Sequence, residues 1–213
     1  MVFLDNSPFS RYNNPNFIRQ FVTILSLNKT REIDGRSAPI FFGETMRKNT
    51  RYLTHCAMIA ALYVVLTHLQ NLIFPNSASM AIQFRASEAL CILAFFTPAA
   101  IPGLTLGTLL FNITYAQALP LDFLLGSIAT LLAVVFMRSS RSLTIKGYPL
   151  LGLLMPALFN GLIVGWELSL YIGGAFLYNA ITVALGELAV LLTLGSALYY
   201  ALRIRGLHKK LFG

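Results

Sequence analysis

The stretch "AFLYNAITVALGELAVLLTLGSALYYAL" (residues 175–202) carries a single charge, Glu187, in an otherwise apolar run. A helix that crosses a membrane needs about 20 such residues. A carboxylate inside a span costs a few kcal/mol or more and normally faces a cavity or a partner. The run therefore predicts a membrane fold, and it raises the question of what Glu187 meets.

The rest of the chain repeats the pattern. Apolar runs cover about 53–74, 87–97, 99–116, 121–138 and 148–167, which with 175–202 makes six expected spans. The fold class expected is all-α, a polytopic membrane bundle. The second run is too short to cross ~30 Å unless it is tilted or helped by its loop. Composition agrees: 56% of residues are hydrophobic and 11% are charged, with a mean hydropathy of +0.69. A soluble domain averages about 25% charged residues. No internal repeat is visible.

Residues 1–45 read differently. They are polar and mixed, with loop-like "SPFSRYNNPNF" and "NKTREIDGRS", and only 17–27 could form a short amphipathic helix. No basic start followed by an apolar core marks a secretory signal. The domain expectation is a disordered polar extension or a misassigned start over 1–45, then a six-helix membrane domain over 46–213.

Net charge is +8. In a membrane protein this reports topology, because Lys and Arg accumulate in cytoplasmic loops. With an inside N-terminus, the inner side holds Arg47, Lys48, Arg51, Arg138, Arg141, Lys146, Arg203, Arg205, Lys209 and Lys210, and the outer side holds Arg85 alone. That predicts both termini in the cytoplasm and a multi-pass protein of the cell membrane. A nucleic-acid partner is not expected, since no basic patch is interleaved with exposed aromatics. Cys56 and Cys91 lie at or inside apolar runs and read as packing residues. No zinc-type Cys/His spacing, P-loop, H-E-x-x-H or G-x-S-x-G occurs. No metal or cofactor is expected, and ATP hydrolysis, if any drives the protein, must come from separate subunits.

The acids run opposite to the bases. Glu88 opens the second span, Asp122 opens the fourth, Glu167 closes the fifth, and Glu187 lies about 12 residues, hence ~18 Å, into the sixth. All four fall in the outer half, with Asn112, Asn160 and Asn179 at the same level or near its floor. Asp122 is also explained as a helix N-terminal acid favoured by the dipole, and Glu88 as an ion pair with Arg85 one turn away. Taken together they form an acidic pocket with carboxamides, suited to a cationic or donor-rich ligand. A carboxylate accepts two parallel N–H bonds from a guanine-like edge. Phe84, Trp166, Tyr171 and Tyr178 are at the same level, either stacking on such a ligand or forming an interfacial aromatic belt. In the first span, Ala57, Ala60 and Ala61 lie near the cytoplasmic end. Ala57 and Ala61 form a small-xxx-small pair that admits another helix, from a partner or from this chain.

Five phrases in order carry a resemblance: "IQFRASEAL", "FTPAAIPGLTLG", "DFLLGSIATLLA", "PALFNGLIVGWEL" and "VALGELAVLLTLG". From about Met46 onward the chain resembles the QueT group, queuosine-precursor substrate-binding (S) subunits of energy-coupling factor transporters. It departs at Ala94, where the group commonly has proline, and at Thr108, where it commonly has cysteine. The resemblance implies a six-helix bundle with a pocket near the outer face, and docking on a transmembrane coupling subunit with two ABC-type ATPases. Ala57 and Ala61 match the docking surface. The implied ligand is a 7-deazaguanine, such as 7-aminomethyl-7-deazaguanine or queuine. Glu88 would then point into the pocket, while Arg85 balances charge or clamps a ligand carbonyl. The alternatives are an S subunit for another cationic, vitamin-like ligand, a membrane enzyme using paired carboxylates, and a purely structural membrane partner.

Overall fold

The structure is a computed structural model that describes residues 40–75, 84–115, 118–145 and 147–212, with side chains in the first helix from Asn49 onward. The expectations for residues 1–39, for the loop 76–83 and for the side chains of Arg47, Lys48 and Lys146 fall outside these residues. The chain divides into two units, Met1–Thr45 and Met46–Gly213. Only the second is described further.

Every regular element among the described residues is helical. They are α1 (Ile40–Ile73), a 3-10 helix (Ala86–Phe95), α2 (Ala100–Thr114), α3 (Asp122–Ser139) followed by a short 3-10 turn (Ser140–Ser142), α4 (Leu150–Tyr171), α5 (Phe176–Val190), α6 (Ser196–Ile204) and α7 (Leu207–Phe212). Among the described residues, four apolar stretches are long enough to cross a membrane: Asn49–Ile73, Asp122–Ser142, Leu150–Tyr171 and Phe176–Ile204. The last is one rod, in which α5 passes to α6 through a π-helical stretch, Leu191–Gly195. The second and third expected runs are shorter apolar helices, Ala86–Phe95 and Ala100–Thr114.

Local chemistry sets these boundaries. Thr97 precedes Pro98, and the residue before a proline is pushed away from helical angles, so the 3-10 helix stops and α2 begins afterwards. Pro102 falls in the first turn of α2, where its missing N–H has no intrahelical partner to lose. Gly173 and Gly174 carry φ of 91° and 87° between α4 and α5. Side chains rarely adopt this region, so two glycines permit the reversal that lays α5 back along α4.

Small residues then close the seams. A Cβ at Gly165 would lie 2.6 Å from the Ala180 Cα, and one at Gly161 would lie 2.9 Å from the Ala180 carbonyl oxygen. Helices α4 and α5 therefore meet backbone to backbone. Gly103 and Gly107 do the same for α2 against Cys56, Ile59, Ala60 and Tyr63 of α1. Lipid offers no hydrophobic drive for helices to associate, so such close packing supplies the dispersion contacts instead. The main core surrounds the 3-10 helix and includes Tyr63, Cys91, Ile92, Leu104, Phe111 and Leu153. Both cysteines are buried and unpaired. Large apolar side chains stay exposed along the flanks, Leu72 and Ile204 at 78% each. A face of that kind suits hydrocarbon rather than water.

Candidate functional site

The site lies near the starts of the 3-10 helix and α3 and the end of α2, and draws on residues further along α4 and α5. Each element brings a polar residue to it. Glu88 is in the first turn of the 3-10 helix, Asn112 in the last turn of α2, Asp122 at the start of α3, Asn160 and Glu167 on α4, and Glu187 on α5. All six are buried.

Glu88 is held from two sides. The Tyr63 hydroxyl donates to its Oε1 at 2.5 Å, and the Cys91 thiol donates to its Oε2 at 3.2 Å. Tyr63 belongs to a polar stripe on α1. Thr67 donates to the Ser87 hydroxyl at 2.7 Å, Gln70 donates to the Phe84 carbonyl, and the Ala86 N–H donates to the Gln70 Oε1 at 2.5 Å. Tyr63, Thr67 and Gln70 thus fasten the start of the 3-10 helix to α1. Sequence reasoning passed over these residues. Their signal was the 4,3 spacing, which puts three polar groups on one face of a span.

Arg85 is the cation of the cluster. Its guanidinium forms an ion pair with Asp122 at 3.8 Å and lies 5.7 Å from the centre of the Phe111 ring. Burial opposes its charge, but Tyr63, Asp122, Glu88 and Glu187 outweigh that and raise its pKa. Glu167 interacts electrostatically with Asp122 and Arg85, and Glu187 with Glu88 and Arg85. The four carboxylates therefore share one field around one guanidinium, a formal charge of −3 from four acids and one base.

The carboxamides split into two kinds. Asn160 Nδ2 donates to Glu187 Oε1 at 2.9 Å, and Asn112 Nδ2 donates to the Asp122 carbonyl at 2.8 Å. Gly126 makes room for that second bond, since a Cβ there would lie 2.7 Å from Asn112 Nδ2. Asn179 serves the turn instead, donating to Ser169 Oγ at 3.1 Å and to the Gly173 carbonyl at 3.0 Å. Thr108 pairs its hydroxyl with Thr130 at 3.2 Å, joining α2 to α3 just below the cluster.

Several buried oxygens of the cluster lack a hydrogen-bond partner: Asn112 Oδ1, Asp122 Oδ1, both Glu167 oxygens and Glu187 Oε2. Every one is an acceptor. An unmatched buried polar atom costs about 1–3 kcal/mol, more when charged. Such a set has the capacity to accept from N–H donors.

The chain matches the model of the QueT transporter family over residues 53–204. It belongs to that family. No curated protein and no solved structure matches it. The family match covers every residue of the buried cluster, and it makes the chain a membrane transport component rather than a soluble domain.

In this QueT family member the other expected contacts are scattered. Trp166 is 49% exposed, and Phe84, Tyr171 and Tyr178 are exposed too, on the surface and not in the cluster. Ala57 and Ala61 are exposed on α1, whereas Ala60 is buried, with its carbonyl 3.1 Å from where a Gly107 Cβ would be. Two open apolar grooves lie elsewhere, one of about 440 Å³ along Val64, Val65, His68, Leu69 and Leu72, another of about 140 Å³ on the α4/α5 seam. Neither presents a carboxylate.

Proposed function

We propose that this chain is the substrate-binding subunit of an energy-coupling factor transporter, importing a queuosine precursor of the 7-deazaguanine class. Six membrane segments form its bundle, and both termini face the cytoplasm of a cell whose plasma membrane it spans. A transmembrane coupling subunit and two ABC-type ATPases supply the energy, so the chain itself carries no catalysis. The observation that supports this reading best is the buried acidic cluster whose unmatched atoms are all acceptors. A 7-deazaguanine offers ring N–H and exocyclic amine donors, and its aminomethyl derivative adds a cation.

Isothermal titration of the purified subunit with 7-aminomethyl-7-deazaguanine and with queuine tests the reading. Saturable binding of either upholds it. Binding only to an unrelated vitamin-like cation would replace the substrate, and turnover of the bound compound would replace the class. The exposed Ala57/Ala61 pair is the proposed docking face, since small side chains let helices approach closely. Replacing both with Leu should abolish uptake in reconstituted vesicles while leaving ligand affinity of the isolated subunit unchanged.

A further inference from the structure

The four acids of the cluster are not equivalent. Glu88 has Tyr63 on one oxygen and Cys91 on the other. Glu187 receives Asn160 on Oε1, and Asp122 receives Arg85 on Oδ2. Among the described residues, Glu167 alone keeps both carboxylate oxygens buried and unmatched, at 0% exposure. Two free oxygens on one carboxylate form a parallel pair of acceptors, the geometry that takes two adjacent N–H groups.

Val164, one turn before Glu167, joins Ala129, Leu168 and Val183 in a small buried apolar cluster. Arg85 interacts electrostatically with Glu167 and so brings a guanidinium, all donors, to the same field. A 2-amino-lactam edge presents C=O, N–H and N–H in line. Its complement is one donor group followed by two acceptors.

We propose that Glu167 is the specificity-determining residue of the site, reading the ring N–H and exocyclic amine of a 2-amino-lactam heterocycle. This rests on the 7-deazaguanine reading above and goes further by assigning the edge to one side chain. Glu88 becomes a positioning residue, holding the 3-10 helix against α1.

The experiment is titration of the parent chain and of Glu167→Gln with 7-deazaguanine and with 7-deazahypoxanthine, which lacks the exocyclic amine. The parent should prefer 7-deazaguanine by about tenfold or more, because the missing amine leaves one carboxylate oxygen unpaired. Glu167→Gln should bind 7-deazaguanine about tenfold more weakly and lose most of that preference, since its amide NH2 opposes the ligand's amine. Retained binding of 7-deazahypoxanthine shows that the variant is folded. Glu187→Gln should keep the preference, and that variant carries the test if Glu167→Gln does not fold. If Glu187→Gln erases the preference, or Glu167→Gln retains it, the assignment is overturned. A parent that binds both compounds equally overturns the assignment and leaves the reading of the ligand class standing. A parent that binds neither overturns both.

Discussion

Arg203 and Glu167 are both charged side chains near the ends of apolar helices, and the protein serves them differently. Arg203 donates to the Gly147 carbonyl and, at 2.8 Å, to the Tyr199 hydroxyl. Its neighbours at that end are also engaged. Arg138 donates to the Ala94 carbonyl at 2.9 Å, a ring nitrogen of His208 meets the Leu202 carbonyl at 3.0 Å, and Tyr148 bonds Ser196. At the opposite end Glu167 has no partner for either oxygen, and Asp122, Asn112 and Glu187 each leave one unmatched. One end is finished by the chain's own backbone and side chains. The other keeps unmatched acceptors, and the proposed function assigns recognition to it.

The largest effect on this contrast should come from Gly165. A Cβ there would meet the Ala180 backbone at 2.6 Å, and backbone cannot yield as a side chain does. Gly165→Leu should prise α4 from α5 and separate Asn160 and Glu167 from Glu187. Overpacking of this kind costs about 1–3 kcal/mol or more. Ligand binding should be lost and the melting temperature in detergent should drop. A variant that binds normally would show that the seam does not set the site.

Glu187→Gln comes next. It keeps the size of the side chain and an oxygen for Asn160 to donate to, but removes the charge that interacts with Arg85 and turns one carboxylate oxygen into an NH2 donor. The dissociation constant for 7-aminomethyl-7-deazaguanine should rise about tenfold, which corresponds to 1.4 kcal/mol. The melting temperature should change far less than in Gly165→Leu. Equal losses in both measurements would move Glu187 to the finished class.

The smallest effect is expected from Arg203→Ala. The side chain is exposed, so its bonds contribute no more than about 1 kcal/mol. Ligand affinity should stay within about twofold, since the residue belongs to the end away from the acids. A large loss of affinity would mean that the two ends are coupled.

Much of this was legible in the sequence. The runs at 121–138, 148–167 and 175–202 became α3, α4 and the α5–α6 rod with ends displaced by a few residues, because unbroken apolar length is a strong signal. The gathering of Glu88, Asp122, Glu167 and Glu187 followed from alternating span direction alone. What stayed hidden depends on side-chain partners distant in sequence. Arg85 pairs with Asp122 on another helix, although Glu88 stands three residues away. Tyr63 reaches Glu88 across 25 positions, and nothing in "ALYVV" marks that tyrosine as polar in use. Trp166 sits beside Glu167 in sequence yet points outward, since neighbours on a helix differ by about 100°. The 3-10 geometry of Ala86–Phe95 was also invisible. Helix type there is a choice made by surrounding contacts, not by the residues' own preferences.

That 3-10 segment has a mechanical consequence. Three residues complete each of its turns, so Glu88, Cys91 and Ala94 fall on one line instead of drifting around the axis. Ten residues at about 2.0 Å each reach ~20 Å, where an α-helix would reach ~15 Å. The segment is held like a strut at both tips: Tyr63 grips one through Glu88, and Arg138 grips the other through the Ala94 carbonyl. Inserting or deleting one residue between them would turn one tip by about 120° relative to the other. Surface loops absorb such edits, whereas this strut has no slack in which to hide them.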